Sequence, residues 1–511
     1  MSRNRQAAVQ SPGWHEMAVH LFVAADGPGA AADRDYLAGV WNACGQRLGM
    51  TEPVPALDYP VEPPAQSWEP HGVGVLAARS RAGGGVRQAV LRREADTWCV
   101  SLVLAPDLNE QLGWADLDSL CTEVLGEPTE GVIGVARLYT AFDPSRTPLP
   151  RQDVPAQVRR LVPAAPGAPA SWPDHGARLD GGVTVWDASA AGEEETERRL
   201  LVLCPEALRH ESSVTSWIGA GPDLPLPWVA RYLLHAAKLR YQLRVWRAGR
   251  EPLFALRRAA DTAIAKLLPT TPSSASGVPS RVDVGAAMAT TRTVDALQWC
   301  QLGLIDGLTR LREVRRTVEI TTGNMESLGT SGTCRAFADD RELADWFLRQ
   351  LDDDAHYVET AVQRADQIGT LAGQLAERGL RRRQESLNLG LTGVVGAILM
   401  ALTAIQAFAY TVRVPHATVP ALIALLGSLA LASSMSVANI VTSRHRWTVV
   451  TGHVANGCMA ASLIWLLVTM LEGGRAGQGL TATLAGIGLL AGLLMSLRTA
   501  KRRRRRAPQR G

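Results

Sequence analysis

Residues 387–497 hold four apolar stretches, and no other feature of this 511-residue chain limits its folding so strongly. They run Leu387–Val412, Val419–Val441, Thr448–Leu471 and Leu480–Leu497. A helix crosses the hydrocarbon core of a bilayer with about 20 mostly apolar residues, and the fourth run lies near the lower limit of about 17. Only helices satisfy their backbone there without closing a barrel. Arg381, Arg382 and Arg383 precede the first run, Arg444 and Arg446 separate the second from the third, and Arg498, Lys501, Arg502, Arg503, Arg504, Arg505 and Arg506 follow the fourth. The opposite connections carry only Arg413 and Arg475. This asymmetry predicts a multi-pass protein of the inner or plasma membrane with both termini in the cytoplasm. A pair of buried core helices is the competing reading, but four such runs with one-sided charge are hard to produce that way.

About 385 residues precede the first run, enough for two or three ordinary domains. The net charge of +4 averages a mixed first part with a very basic tail. Residues 1–16 lack an apolar core, so no cleaved signal peptide is expected and the first part should stay in the cytoplasm. The seven cysteines include no Cys-x-x-Cys pair, which argues for reduced, buried thiols over a zinc or disulfide framework.

The expected fold class is an α+β cytoplasmic domain, then a helical bundle or stalk, then a four-helix transmembrane region. After residues 1–16, read as a disordered N-terminus, residues 17–142 alternate strand-like runs with helical periodicity. The strand candidates are Met17–Val23, Val73–Ala78, Val86–Leu91, Trp98–Leu104 and Val132–Tyr139, and the helices Asp35–Leu48 and Trp114–Leu125. Residues 143–176 are rich in proline and alanine and read as a linker. Residues 177–227 form a continuation with two more strand candidates, Val183–Trp186 and Leu200–Leu203, which either complete the first sheet or begin a second domain. From 228 to 386 the spacing becomes heptad: Val229, Ala236 and Leu243 interleave with Tyr232, Leu239 and Trp246, and Leu297, Leu304, Leu311 and Val318 repeat every seven residues. A third helix from Asp339 carries Phe347, Leu351, Val358, Ala361, Ala365, Ile368, Ala372 and Leu375, with Asp354 interrupting the seam. Three such helices predict an antiparallel bundle whose last member runs toward the membrane region at 387–497, ahead of a basic tail at 498–511.

Phosphate-loop, His-Glu-x-x-His, Gly-x-Ser-x-Gly and kinase motifs are all missing from the sequence. No enzyme, catalytic residue, cofactor or metal is therefore expected. Asn42-Ala43-Cys44-Gly45 resembles the caspase nucleophile motif, yet its surroundings read as an amphipathic helix and no histidine lies about 50 residues upstream. Asp352, Asp353 and Asp354 beside His356 point around a helix, not to one face. His235 reads as a packed residue, and His453 and Asn456 as polar groups inside an apolar run, bridging helices or serving function.

The basic face of the first long helix, Arg231, Lys238, Arg240, Arg244 and Arg247, is the candidate partner-binding surface. The arginines Arg381, Arg382 and Arg383 and the segment Lys501–Arg506 are candidates for anionic lipid headgroups. Small residues in the apolar runs allow close helix packing and a homo-oligomer. No nucleic-acid partner is expected.

Several segments resemble one family. They are Val19-His20-Leu21-Phe22, Leu48-Gly49-Met50-Thr51-Glu52-Pro53, the stretch from Arg92-Arg93-Glu94-Ala95-Asp96 to Leu104-Ala105-Pro106, and above all Ala230-Arg231-Tyr232-Leu233-Leu234-His235-Ala236-Ala237-Lys238-Leu239-Arg240-Tyr241. Over most of residues 17–390 the chain resembles the CATRA proteins, the caspase- and tetratricopeptide-repeat-associated components of actinobacterial conflict systems. The resemblance implies a non-enzymatic component encoded with caspase-like peptidases or repeat proteins, and it carries over no catalytic residue. Together with the apolar runs it predicts a membrane-anchored scaffold or sensor that couples a membrane event to a cytoplasmic effector. The alternative is a CorA-like cation channel or transporter with a cytoplasmic regulatory domain. Against it, Ala407-Phe408-Ala409-Tyr410-Thr411 stands where that family has Gly-Met-Asn, and four runs stand where it has two spans.

Overall fold

The structure, a computed structural model, describes residues 15–27, 29–55, 57–64, 74–107, 109–143, 156–174, 176–178, 182–190, 192–213, 226–267, 289, 292–293, 296–297, 303–328, 335–410, 415–416, 418–441, 446–471 and 478–505. The expected disordered N-terminus thus lies almost wholly outside the described residues. The chain divides into two compact units, the first made of residues 1–262 and 296–364 and the second of 263–295 and 365–511.

The first unit is built on one sheet. Its strands are β1 (His15–Ala24), β2 (Gly74–Ser80), β3 (Val86–Glu94), β4 (Thr97–Ala105), β5 (Val132–Asp143), β6 (Ala177–Arg178), β7 (Thr184–Asp187) and β8 (Glu197–Pro205). They lie in the order β2-β3-β4-β1-β5-β8-β7-β6. Central β1 is buried at every position from Glu16 to Val23, because helices cover both faces of the sheet. Val19, Leu21 and Val23 face a core shared with α1 (Ala30–Leu48) and α2 (Trp114–Leu125), through Trp41, Cys44, Leu117 and Cys121. Ala18 and Phe22 face the opposite way, into a core shared with the long helices.

The strand candidates after residue 177 complete the first sheet and begin no second domain. β8 runs parallel to β5, from Val135 opposite Glu197 to Asp143 opposite Pro205, and β7 pairs antiparallel with β8. Parallel neighbours need a crossover connection, and the proline-rich stretch supplies it. Where a free linker was expected, the described part of that stretch is packed. It includes the short α3 (Ala156–Leu161) and buries Val158, Val162 and Trp172 in the core under α1 and α2. These apolar side chains are spaced among prolines and escape any periodicity search.

Beyond β8 come α4 (Arg209–Ser213), α5 (Trp228–Leu267), α6 (Leu304–Leu328) and α7 (Arg335–Tyr410). The heptad positions Ala236, Leu239, Leu243, Trp246, Leu304, Leu311, Val318, Phe347, Leu351 and Val358 all join the core on the second face of the sheet. Contacts between α6 and α7 run in opposite senses, Arg312 to Glu359 and Arg315 to Asp352, as expected for an antiparallel neighbour.

In the second unit, α7 continues to Tyr410 and is followed by α8 (Val419–Val441), α9 (Arg446–Leu471) and α10 (Gln478–Arg505). These helices coincide with the four apolar runs, but among the described residues not all of them hold an apolar segment of spanning length. Among the described residues one helical segment, His453–Leu471, is long and apolar enough to cross a bilayer, while Ile398–Ala407, Val419–Ser433 and Ala482–Leu494 are shorter. Asn388, Thr392 and Gln406 break up the first run. α9 and α10 pack through small residues: a Cβ on Gly492 would lie 3.1 Å from Gly457 Cα, and one on Gly488 would lie 3.3 Å from Ala461 Cα.

Candidate functional site

The basic helix face picked out from the sequence is α5, and the structure turns every one of its five residues inward to the chain. Arg231 donates to Leu226 O at 3.1 Å. Lys238 pairs at 2.5 Å with Asp96, which stands in the two-residue turn between β3 and β4. That turn places Ala95 at φ 53°, a left-handed conformation costing about 1–2 kcal/mol for a residue with a Cβ. The tight hairpin matches the strand twist and holds Asp96 toward the helix. Burial alone would raise the Asp96 carboxyl, but the Lys238 hydrogen bond and charge outweigh it and keep it below the usual range.

Farther along, Arg244 serves the backbone. The pairing of β1 with β5 skips a residue between Phe22 and Val23, leaving Ile133 as the extra residue of a bulge. Arg244 Nη2 donates to Val132 O at 3.2 Å and Ile133 O at 3.0 Å, filling acceptors that the bulge leaves outside the ladder. One residue on, Gly134 lets α5 approach, since a Cβ there would come within 2.8 Å of the Ala237 methyl. Arg247 closes the row on the acidic turn before β8, pairing with Glu193 at 2.7 Å and with Glu194.

The strongest charges of this seam are buried. Asp340 of α7 is 0% exposed. It meets Arg198 of β8 at 2.6 Å, Arg240 of α5 at 2.7 Å and the Tyr232 hydroxyl at 3.1 Å, while Arg198 Nε also reaches Asp187 of β7 at 3.0 Å. Burial opposes charge on both partners, yet their mutual attraction wins: Asp340 lies below its ordinary range and Arg198 above its own. Asp354, 1% exposed, accepts from Trp246 Nε1 at 3.1 Å and Arg250 Nε at 2.8 Å. Asp96, Glu193, Glu194, Arg198 and Asp340 were not singled out as partners from the sequence. Only Asp354 left a trace, as the charge that interrupts a heptad seam, and stepping that seam back by two heptads leads to Asp340.

The remaining candidates separate in the structure. Cys44 is buried in α1, where burial pushes its thiol up to about 12. Asp352 pairs with Arg315 on the surface while Asp354 turns inward, so the consecutive aspartates do not converge. His235 is half-buried, its Nδ1 lacks a hydrogen-bond partner, and burial, with Lys238 and Arg231 adding to it, lowers it to about 4. Another histidine, His20, meets Ser101 Oγ at 2.9 Å, with Cys99 Sγ 3.6 Å from the same hydroxyl. All three are enclosed under the long helices. Burial keeps the Cys99 thiol up at about 11, and the row links strands β1 and β4. His453 and Asn456 are half-buried in α9.

Among the lipid candidates, Arg381 is exposed and pairs with Glu377 at 2.8 Å. Arg382 and Arg383 lie in α7, and Lys501, Arg502, Arg503, Arg504 and Arg505 in α10. Arg506 falls outside the described residues.

A sheet with a two-helix layer on one face and a heptad bundle clamped by arginines on the other defines a two-part module whose parts share the core on the second face. Residues 16–219 match the family model of the caspase and TPR repeat-associated N-terminal domain, CATRA-N, and residues 227–365 that of the corresponding C-terminal domain, CATRA-C. The chain belongs to the CATRA family, whose domains are associated with caspase-like and TPR-repeat proteins of conflict systems. No curated protein and no solved structure matches it. The boundary between the two matched segments falls just before α5, and their residues share one core, from Ala18 and Leu200 to Leu239 and Phe347.

Proposed function

We propose that this chain is a membrane-anchored, non-enzymatic scaffold or sensor of a conflict system, in which the CATRA module answers to a membrane event and engages a caspase-like or TPR-repeat effector. The observation that carries this reading is α7, one helix of 76 residues. Its first part builds the CATRA-C core, and its later part presents Leu391, Val395, Ile398, Leu399, Leu402 and Ile405 to the exterior. Exposed apolar side chains in such density are unfavourable in water and match a lipid surroundings. The hydroxyls of Thr392 and Thr403 donate at 2.8 Å to carbonyls of their own helix, which removes their need for water. The charge asymmetry around the apolar runs supports four spans with both termini in the cytoplasm, and the small-residue contact of α9 with α10 supports a packed membrane hairpin. In this reading Arg381, Arg382, Arg383 and Lys501–Arg506 lie at the anionic headgroups.

Because the basic face of α5 is engaged within the chain, effector contact falls to the outer surfaces of the module. The test has two parts. Membranes of cells making the full chain are washed with alkaline carbonate, and reporters are fused after Ser386, Val414 and Arg506. The chain should stay in the pellet, with cytoplasmic signals from Ser386 and Arg506 and an external signal from Val414; release into the wash ends the anchored reading. Affinity capture of the detergent-solubilised chain should then recover a caspase-like or TPR-repeat protein, and repeated capture of neither removes the scaffold.

A further inference from the structure

The two buried aspartates of α7 occupy the same place in its heptad. Asp340, Phe347, Asp354 and Ala361 follow one another at sevenfold spacing, and Ala344, Leu351, Val358 and Ala365 form the second row of the seam. All eight are buried. Their contacts advance together with those of α5: Tyr232 and Arg240 meet Asp340, Trp246 and Arg250 meet Asp354, and Asp261 meets Arg364. The two helices therefore run parallel, and the mixture of acid and apolar residues along one row gives each register a different match.

We propose that Asp340 and Asp354 are register determinants that lock α7 against α5 and β8, making it a non-slipping rod that carries any displacement arriving from beyond residue 365 into the CATRA-N sheet. A slip by one heptad, about 10 Å of helix, puts Phe347 or Ala361 against Arg250 and takes the buried Asp354 carboxylate away from Arg250 and Trp246. An apolar seam would pay no such penalty, and heptad positions occupied by polar residues fix register elsewhere for the same reason. Asp340 adds the link to the sheet, since Arg198 belongs to β8 and reaches Asp187 of β7 with its other edge. The use of the rod for signalling rests on the anchored reading above, whereas the register itself does not.

The experiment reads register directly in the full chain in detergent, without membrane or effector. Cysteine pairs are placed at 261 and 364 for the native register, at 254 and 364 for a slip in one sense, and at 261 and 357 for a slip in the other. Arg257 lies over both the Phe254 and Tyr357 rings, which sets 254 and 357 side by side in the native state. A short bis-maleimide is added and the products are mapped by mass spectrometry. With the aspartates present, the 261/364 pair should cross-link and the two slipped pairs should stay at background. Two variants then remove the charges, one carrying Asp354→Leu with Arg250→Met, the other adding Asp340→Leu, Arg198→Met and Arg240→Met. Slipped products should rise several-fold in the first and further in the second, with helical circular dichroism retained. Exclusive native cross-linking in the first variant, which leaves the Asp340 cluster whole and folds on that account, together with the same result in the second or its failure to fold, would overturn the proposal. A register that slips freely in the variants while the carbonate wash releases the chain would leave the lock standing and remove the anchored reading alone.

Discussion

Along α7, residues 340–365 and residues 391–405 both carry large apolar side chains, yet they meet opposite surroundings. The first stretch buries Ala344, Phe347, Leu351, Val358 and Ala361 and tolerates two aspartates because arginines of α5 and β8 enclose them. The second exposes Leu391 at 66% and Leu399 at 58% and has no acid or base between Glu385 and Tyr410. The difference is one of pattern. In the first stretch apolar residues keep to one seam and charges take the other faces, which suits a bundle in water. In the second, apolar residues surround the helix, and a helix apolar all round is stable only inside a large core or in lipid.

Truncation breaks or upholds this contrast most sharply. Phe347→Ala should cost about 3–5 kcal/mol in denaturant unfolding of the detergent-solubilised chain, as for other buried aromatic residues, while Ile398→Ala should cost under about 0.5 kcal/mol. Equal losses would mean that the second stretch is packed like the first. A charge tests the lipid side: Leu399→Arg should disfavour insertion by about 2.5–3.5 kcal/mol, seen as a larger carbonate-soluble fraction. An unchanged pellet would count against lipid contact at that position.

A pH titration separates the regions by chemistry. Glu16, buried in β1, has its carboxyl pushed up to about 7 by desolvation, with Arg209 pulling the other way, and its Oε1 has no hydrogen-bond partner. The folded state favours the protonated acid. Its stabilisation is complete below the ordinary value of about 4.5 and is lost as pH rises through about 7. Unfolding of the first unit, followed by tryptophan fluorescence, should weaken by roughly 2–3 kcal/mol over that window, and Glu16→Gln should flatten the slope. A slope that survives the substitution assigns it to another group. The smallest effect belongs to the rim of the clamp, where Asp96→Asn loses the Lys238 pair. With Asp96 largely open to water, the cost should stay at about 0.5–1 kcal/mol, and a loss as large as that of Phe347→Ala would show that the turn before β4 is part of the core.

Much of the architecture is readable in the residues themselves. Five strands of the sheet, the helices α1 and α2 and the seams of α5, α6 and α7 follow from local alternation and heptad spacing, because those signals arise within a few residues of one another. The apolar runs that became α8, α9 and α10 are equally local. The short β7 and β8 were visible as strands, but their place in the sheet was not, since β8 joins β5 in parallel with paired residues such as Val135 and Glu197 standing 62 positions apart in the chain. The buried Val158 and Trp172 show the same limit: isolated apolar residues among prolines carry no period.

For the candidate site the sequence alone determined which residues are charged and which helix they share, and tertiary structure decided what the charges do. Arg240 and Lys238 on a helix surface have one appearance in the sequence whether they face solvent, a partner or the rest of the chain. Their acceptors stand far away, Asp96 lying 142 residues from Lys238 and Asp340 lying 100 residues from Arg240. An ion pair depends on the distance between its two charges and on the water excluded around them. Both quantities come into being only when α5 lies across the sheet and α7 lies beside it, so the free-looking basic face became the clamp that joins the two halves of the CATRA module.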